Sequence, residues 1–137
     1  MQEWTIFQLA CRDRNRIALE SDLLSAAMFG IENILCLTGD HTKMGDHPQA
    51  KPVFDLDSVS LLHTVKLLES GVDLGGNELV GEPPKFSKGA VVSPCSDSVD
   101  AQLARWKEKL QQVQITSRHR LYFEPGRNSS NSWKKQN

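Results

Sequence analysis

CRDRNR (Cys11–Arg16) and LTGD…GDHPQAKPVFD (Leu37–Asp55) decide how this chain is read. Both are dense in charge, glycine and proline. Each follows a short apolar run, TIFQLA (Thr5–Ala10) before the first and NILCL (Asn33–Leu37) before the second. Apolar runs of this length that end in polar, turn-rich segments read as buried strands feeding loops. In α/β folds the binding and catalytic groups gather at the carboxyl ends of such strands.

Between the two runs, Ile17, Leu23, Leu24, Ala27 and Met28 recur at helical spacing. Asp13 is placed to cap this helix and Gly30 to stop it. Strand, helix and strand within about 30 residues is the size of a parallel βαβ unit. Thr38–Asp57 follows as a long loop with Gly39, Gly45, Pro48 and Pro52. Loops of that length inside a compact domain are functional or disordered. A second helix, capped by Asp57 or Ser58, turns Val59, Leu62, Val65 and Leu68 inward and stops at Gly71. Gly89–Val92 (GAVV) reads as the next strand. Val99, Leu103, Trp106 and Leu110 mark a third amphipathic helix, with Lys107 and Lys109 near its end where they suit the helix dipole. The class is therefore α/β.

Periodicity stops near Gln111. Residues 1–110 read as one domain and 111–137 as an irregular, disordered tail rich in Arg, Ser, Asn and Lys. The whole chain of 137 residues is 39% hydrophobic and 24% charged, ordinary for one globular domain. A net charge of −1 gives no general electrostatic case for nucleic acid or a membrane surface. No apolar run approaches the roughly 18 residues of a membrane span, and no basic start leads into an apolar signal core, so a cytoplasmic protein is expected. Cys11, Cys36 and Cys95 form no CxxC, and an odd count favours reduced thiols.

Each candidate site has a bland reading beside it. Arg12, Arg14 and Arg16 could hold an anionic group such as a phosphate, or form a solvated face. Asp13 could bond a polar ligand or only cap the helix. Gly39-Asp40 could aim a carboxylate at a bound cofactor, with glycine allowing close backbone approach, or make a turn. His41, Asp46 and His47 lack HxH or HExxH spacing, so a metal site is the weaker reading. Cys11 and Cys36 could line a site or be buried structural thiols. Lys109 alone reads as a solvated lysine.

Four stretches carry a resemblance: QLACRDRNRIALESDLLSAA (Gln8–Ala27), GIENILCLTGD (Gly30–Asp40), GDHPQAKPVFDLDS (Gly45–Ser58) and GAVVSP (Gly89–Pro94). Together they resemble methylenetetrahydrofolate reductase in the form found in many bacteria. The likeness runs from near Met1 to about Leu110. It implies part of a (β/α)8 TIM barrel, roughly the third to fifth strands and their helices. It also implies an FAD-dependent reduction of 5,10-methylenetetrahydrofolate to 5-methyltetrahydrofolate, with NAD(P)H or another electron donor, serving methionine synthesis. Asp40 matches the family's aspartate near the flavin N1 and the folate, and its charge would tune the flavin. Gly39 matches the backbone position beside it, and Thr38 stands where some members have arginine. Gln8, Cys11 and Asp13 match strand-end positions lining the flavin. Gln102 falls where some members have an aspartate that binds the ribityl or ribose region. Lys109 matches a lysine on the flavin's phosphate side. No metal is implied.

The resemblance also implies two absences. The family's general acid, a first-strand glutamate, would lie upstream of Met1, and the folate-contacting glutamine has no counterpart. An open parallel sheet is prone to pair with other chains, so a homo-oligomer or a partner subunit is expected. The alternatives are an inactive remnant, a subunit acting only in assembly, and, ranked lower, a metal-binding module on the three cysteines and the His41–His47 loop. The tail carries an expectation about the gene: residues 112–137 are translated out of frame. From the third base of the Gln111 codon, synonymous codons through Phe123 can spell Ala-Gly-Ala-Asp-Tyr-Ile-Gln-Thr-Gln-Ala-Val-Phe. That looks like the family's next strand, with its missing glutamine. In the same frame Ser129–Lys135 can spell Leu-Lys-Gln-Phe-Met-Glu-Lys.

Overall fold

The computed structural model describes residues 5–91, together with 100, 104 and 107. Its elements are β1 (Ile6–Ala10), α1 (Arg16–Met28), β2 (Asn33–Leu37), a 3-10 turn (Thr42–Met44), α2 (Ser58–Glu69) and β3 (Ser87–Ala90). The strands form a parallel sheet in the order β1-β2-β3. The class is mixed α/β, with a helix between each pair of successive strands.

Register separates the two faces of the sheet. Leu9 lies opposite Cys36 and Cys36 opposite Ala90, while Phe7, Ile34 and Lys88 form the neighbouring row. Five of these six side chains are buried, and Phe7 packs against their core. That core is completed by Leu19 and Leu23 of α1 and by Leu61, Leu62, Val65 and Leu68 of α2. Each such side chain contributes roughly 1.5–3 kcal/mol by leaving water. On the opposite face Ile6, Gln8, Ala10, Asn33, Leu35, Leu37, Ser87 and Gly89 are exposed or only half-buried. Both described helices thus cover one face and leave the other open.

Helix ends follow from local chemistry. Asn15, not Asp13, caps α1: its side-chain oxygen accepts from Ala18 N at 3.1 Å. Asp13 is instead engaged by the neighbouring Arg12. Asp57 caps α2 as expected, accepting from Ser60 N at 2.8 Å. Both helices end in the same way. Gly30 and Gly71 take φ of +75° and +88°. Ile31 N then reaches Ala26 O, and Val72 N reaches Leu67 O, satisfying carbonyls of the last turn.

Three expectations need correction. On α1, Leu19, Leu23 and Ala26 face the core, while Ile17 and Met28 are 74% and 88% exposed. On α2, Val59 is only half-buried, and Leu61 and Thr64 join Leu62, Val65 and Leu68 inside. The third strand begins two residues early, at Ser87, and ends at Ala90. It starts there because Lys88 pairs into the sheet opposite Ile34, with its ammonium on the Glu69 carboxylate. The third helix face, the domain boundary at Leu110 and the tail lie outside the described residues.

Candidate functional site

Parallel strands put all their carboxyl ends on one side. There β1 runs into Cys11–Asn15 and β2 into Thr38–Asp40, stitched by Cys11 N donating to Leu37 O at 3.0 Å. Gly39 takes φ +89°, and a Cβ on it would lie 3.0 Å from Arg12 Cβ and 3.5 Å from Ala10 Cβ. Glycine is needed here for both backbone angle and space. The close approach brings Asp40 beside the first loop, where Arg12 Nη1 donates to its carbonyl at 3.4 Å. The Asp40 side chain belongs to an exposed residue.

The three arginines of the first loop are not a free cationic patch. Arg12 forks onto Asp13 at 2.7 and 2.9 Å. Arg14 Nη1 lies 2.9 Å from Asp22 Oδ2, close enough for an ion pair though out of hydrogen-bond alignment. Arg16 grips Asp55 through Nε at 2.8 Å and Nη2 at 3.0 Å, and its backbone N adds a third bond at 2.9 Å. Hydrogen bonding from Arg12 draws the Asp13 carboxyl below its ordinary value. The bonds from Arg16 hold Asp55 at about 2. With every guanidinium matched to a carboxylate, the anion-holding reading of this run loses its charge.

Gln8 stands exposed on the open face of β1. Cys11 is fully buried on the helix side, within the core. Burial, reinforced by the charges of Asp57 and Asp55, pushes its thiol up to about 11, so it stays protonated and unreactive. Thr38 accepts from Ser58 N at 3.0 Å, fastening the loop to the start of α2. Asp13, Thr38, Gly39 and Asp40 therefore stand at the strand ends, while Gln8 lies two residues inside β1 on its open face. Gln102 and Lys109 lie outside the described residues.

His41 Nδ1 accepts from Lys43 N at 3.2 Å, and its ring lies 6.3 Å from that of Phe54. Among the described residues no group of three His, Cys, Asp or Glu could hold a metal ion. A shallow depression of about 280 Å³ is lined by Phe7, Gln8, Leu9, Ala10, Asp13, Arg14 and Asp22. It takes in neighbours from both faces of β1, so it follows the edge that this strand forms among the described residues, and it does not include Asp40. Sequence reasoning missed the Arg16–Asp55 tie and Asp22, because the partners stand 39 and 8 residues apart and neither spacing is a local signal. No described helix is long and apolar enough to cross a membrane.

The family model described as Methylenetetrahydrofolate reductase matches residues 3–120. No curated protein and no solved structure matches the chain.

Proposed function

Since this chain belongs to the methylenetetrahydrofolate reductase family, we propose that its strand-end cluster is the cofactor- and substrate-facing wall of a reductase of that type. The substrate is 5,10-methylenetetrahydrofolate, the electron donor NAD(P)H and the cofactor FAD. One observation carries this reading: an open sheet face with Gln8 upon it meets the Gly39-Asp40 corner at the carboxyl ends of parallel strands. Helices cover the other face, so the open face is the side that a barrel turns inward.

The donor set suits a flavin's polar edge. The Gln8 amide both donates and accepts, and Asp40 supplies an acceptor-only carboxylate. FAD, when bound, would relay a hydride from the nicotinamide to the folate. The chain's own contribution is binding and electrostatics. Asp40 places a negative charge whose position is set by the Gly39 turn, and Gln8 orients a polar ring edge. Thr38 fastens the loop that carries Asp40 to the start of α2. Cys11, sealed in the core, maintains the strand end from behind. By resemblance, Gln102 and Lys109 complete the proposed cofactor set.

A second reading is favoured by the strand count. The described residues supply three strands, whereas a closed barrel of this type uses eight. On that reading the chain acts only when assembled with another polypeptide or another copy. Purifying the full chain and titrating it with FAD tests the first reading. Saturable binding with a perturbed flavin spectrum, weakened by Asp40→Ala, is expected. A flavin that stays free at all concentrations, alone and with candidate partner chains, would remove the assignment.

A further inference from the structure

The loop from Thr38 to Asp57 has little packing to hold it. Thr42 is its only buried residue, and every residue from Lys43 to Lys51 is exposed. Polar ties do the holding. Thr42 Oγ1 donates to Ala50 O at 2.8 Å and Val53 N donates to Arg12 O at 2.7 Å. Two residues on, the Asp55 carboxylate receives three bonds from Arg16, one from the first amide of α1. Phe54 stands between these last two ties at φ +43°, the only described non-glycine residue with positive φ. For a bulky aromatic residue that conformation is disfavoured by roughly tenfold or more, so it persists only where neighbours enforce it.

Both limbs of the loop converge on one residue. Arg12 receives the returning limb at its carbonyl, stands close enough to the outgoing limb that a Cβ on Gly39 would lie 3.0 Å from its own Cβ, and donates to the Asp40 carbonyl. We propose that the Arg16–Asp55 fork is a positioning device for Asp40: it pulls the returning limb down against the strain at Phe54, seats Arg12, and so fixes the Gly39-Asp40 corner. The catalytic meaning rests on the reading of Asp40 as a cofactor- and substrate-facing carboxylate, whereas the mechanical coupling does not. An isolated surface ion pair would do little. This one closes three bonds on a single carboxylate, at a helix terminus, next to the strained residue.

The test is amide exchange and amide signal position by NMR on the full chain, with core amides such as that of Ile34 as reference. Asp55→Asn is expected to speed exchange at Val53 about tenfold, the equivalent of one strained residue released. It should also shift the Gly39 and Asp40 signals while leaving the core unchanged. Asp55→Glu, which keeps the carboxylate, should restore most of both effects. Phe54→Asn, which tolerates positive φ, should slow Val53 exchange and shrink the effect of Asp55→Asn made on top of it. Unchanged exchange at Val53, unmoved Gly39 and Asp40 signals, equal acceleration in the core, or no rescue by glutamate would each overturn the proposal. A parallel FAD titration of the same samples reports on the cofactor reading separately: failure to bind flavin with the exchange pattern intact leaves the coupling standing.

Discussion

Glu69→Ala should destabilise this fold far more than removal of its partner lysine. Lys88 is 4% exposed and lies in the sheet row with Phe7 and Ile34, facing the helices. Its ammonium rests on one oxygen of Glu69, and the other oxygen accepts from Phe86 N at 2.8 Å. Truncating Glu69 strands a buried cation and a buried amide together. Breaking a buried pair from one side costs about 3–5 kcal/mol. The Glu69 side chain is 21% exposed, so water can partly replace it, which places the expected loss near 3 kcal/mol, the lower end of that range. Lys88→Met removes the buried charge and keeps most of the volume, while Glu69 retains Phe86 N and its access to solvent, so about 1 kcal/mol is expected. Lys88→Met with Glu69→Gln should lie within about 1 kcal/mol of the parent. In urea, with a slope of about 2 kcal/mol per molar, the first variant's midpoint falls by roughly 1.5 M and the second's by about 0.5 M. Equal losses for the two single variants, or a loss below about 1 kcal/mol for Glu69→Ala, would show that the charge is not isolated from water.

Four further outcomes are expected. Gly39→Ala should lower stability by about 1–3 kcal/mol through its left-handed backbone and the contact with Arg12. Gly45→Ala, at φ −108°, should be nearly silent in the same thermal melts. Because the Asp55 carboxyl is depressed from 3.8 to about 2, its stabilisation is complete above 3.8 and lost as pH falls through about 2. Acid unfolding of the parent and of Asp55→Asn should therefore converge near pH 2, and a gap persisting below it would count against the fork. The purified chain, given FAD and NAD(P)H, should not turn over methylenetetrahydrofolate, since among the described residues three strands leave the sheet face open; steady product formation would disprove this. Finally, the coding DNA read from the third base of the Gln111 codon should spell Ala-Gly-Ala-Asp-Tyr-Ile-Gln-Thr-Gln, and any other sequence ends the out-of-frame reading.

What the sequence reveals here is what local chemistry controls. NILCL gives β2 with its observed bounds, and Asp57 and Gly71 bracket α2, because caps and left-handed glycines act within a few residues. On helix α1, Leu23 faces the core and Leu24 and Ala27 pack against it as the spacing suggests, but apolar residues occur on more than one side. Ile17 and Met28 satisfy a helical period without facing the core. Strand β3 is misplaced because a lysine inside a strand looks like a boundary until its partner, 19 residues earlier, is known. The corner at Gly39-Asp40 is readable as a strand-end turn. The pairing of Arg14 with Asp22 and of Arg16 with Asp55 is not, since those contacts depend on how the chain folds back.

The spacing of the strands carries a consequence for how the chain acquires its shape. Ile6 pairs with Asn33, 27 residues on, while Asn33 pairs with Ser87, 54 residues on. Doubling the length of chain that must be closed adds about 0.6 kcal/mol of entropic resistance. During synthesis the first βαβ unit can assemble once Leu37 has emerged. The third strand must wait for α2 and the long connection on either side of it. Much of that delay comes from the twenty residues between Thr38 and Asp57, the same residues that build the strand-end corner. The segment placed to serve chemistry is thus also the one that sets the order of assembly, with β3 the last of the described strands to join.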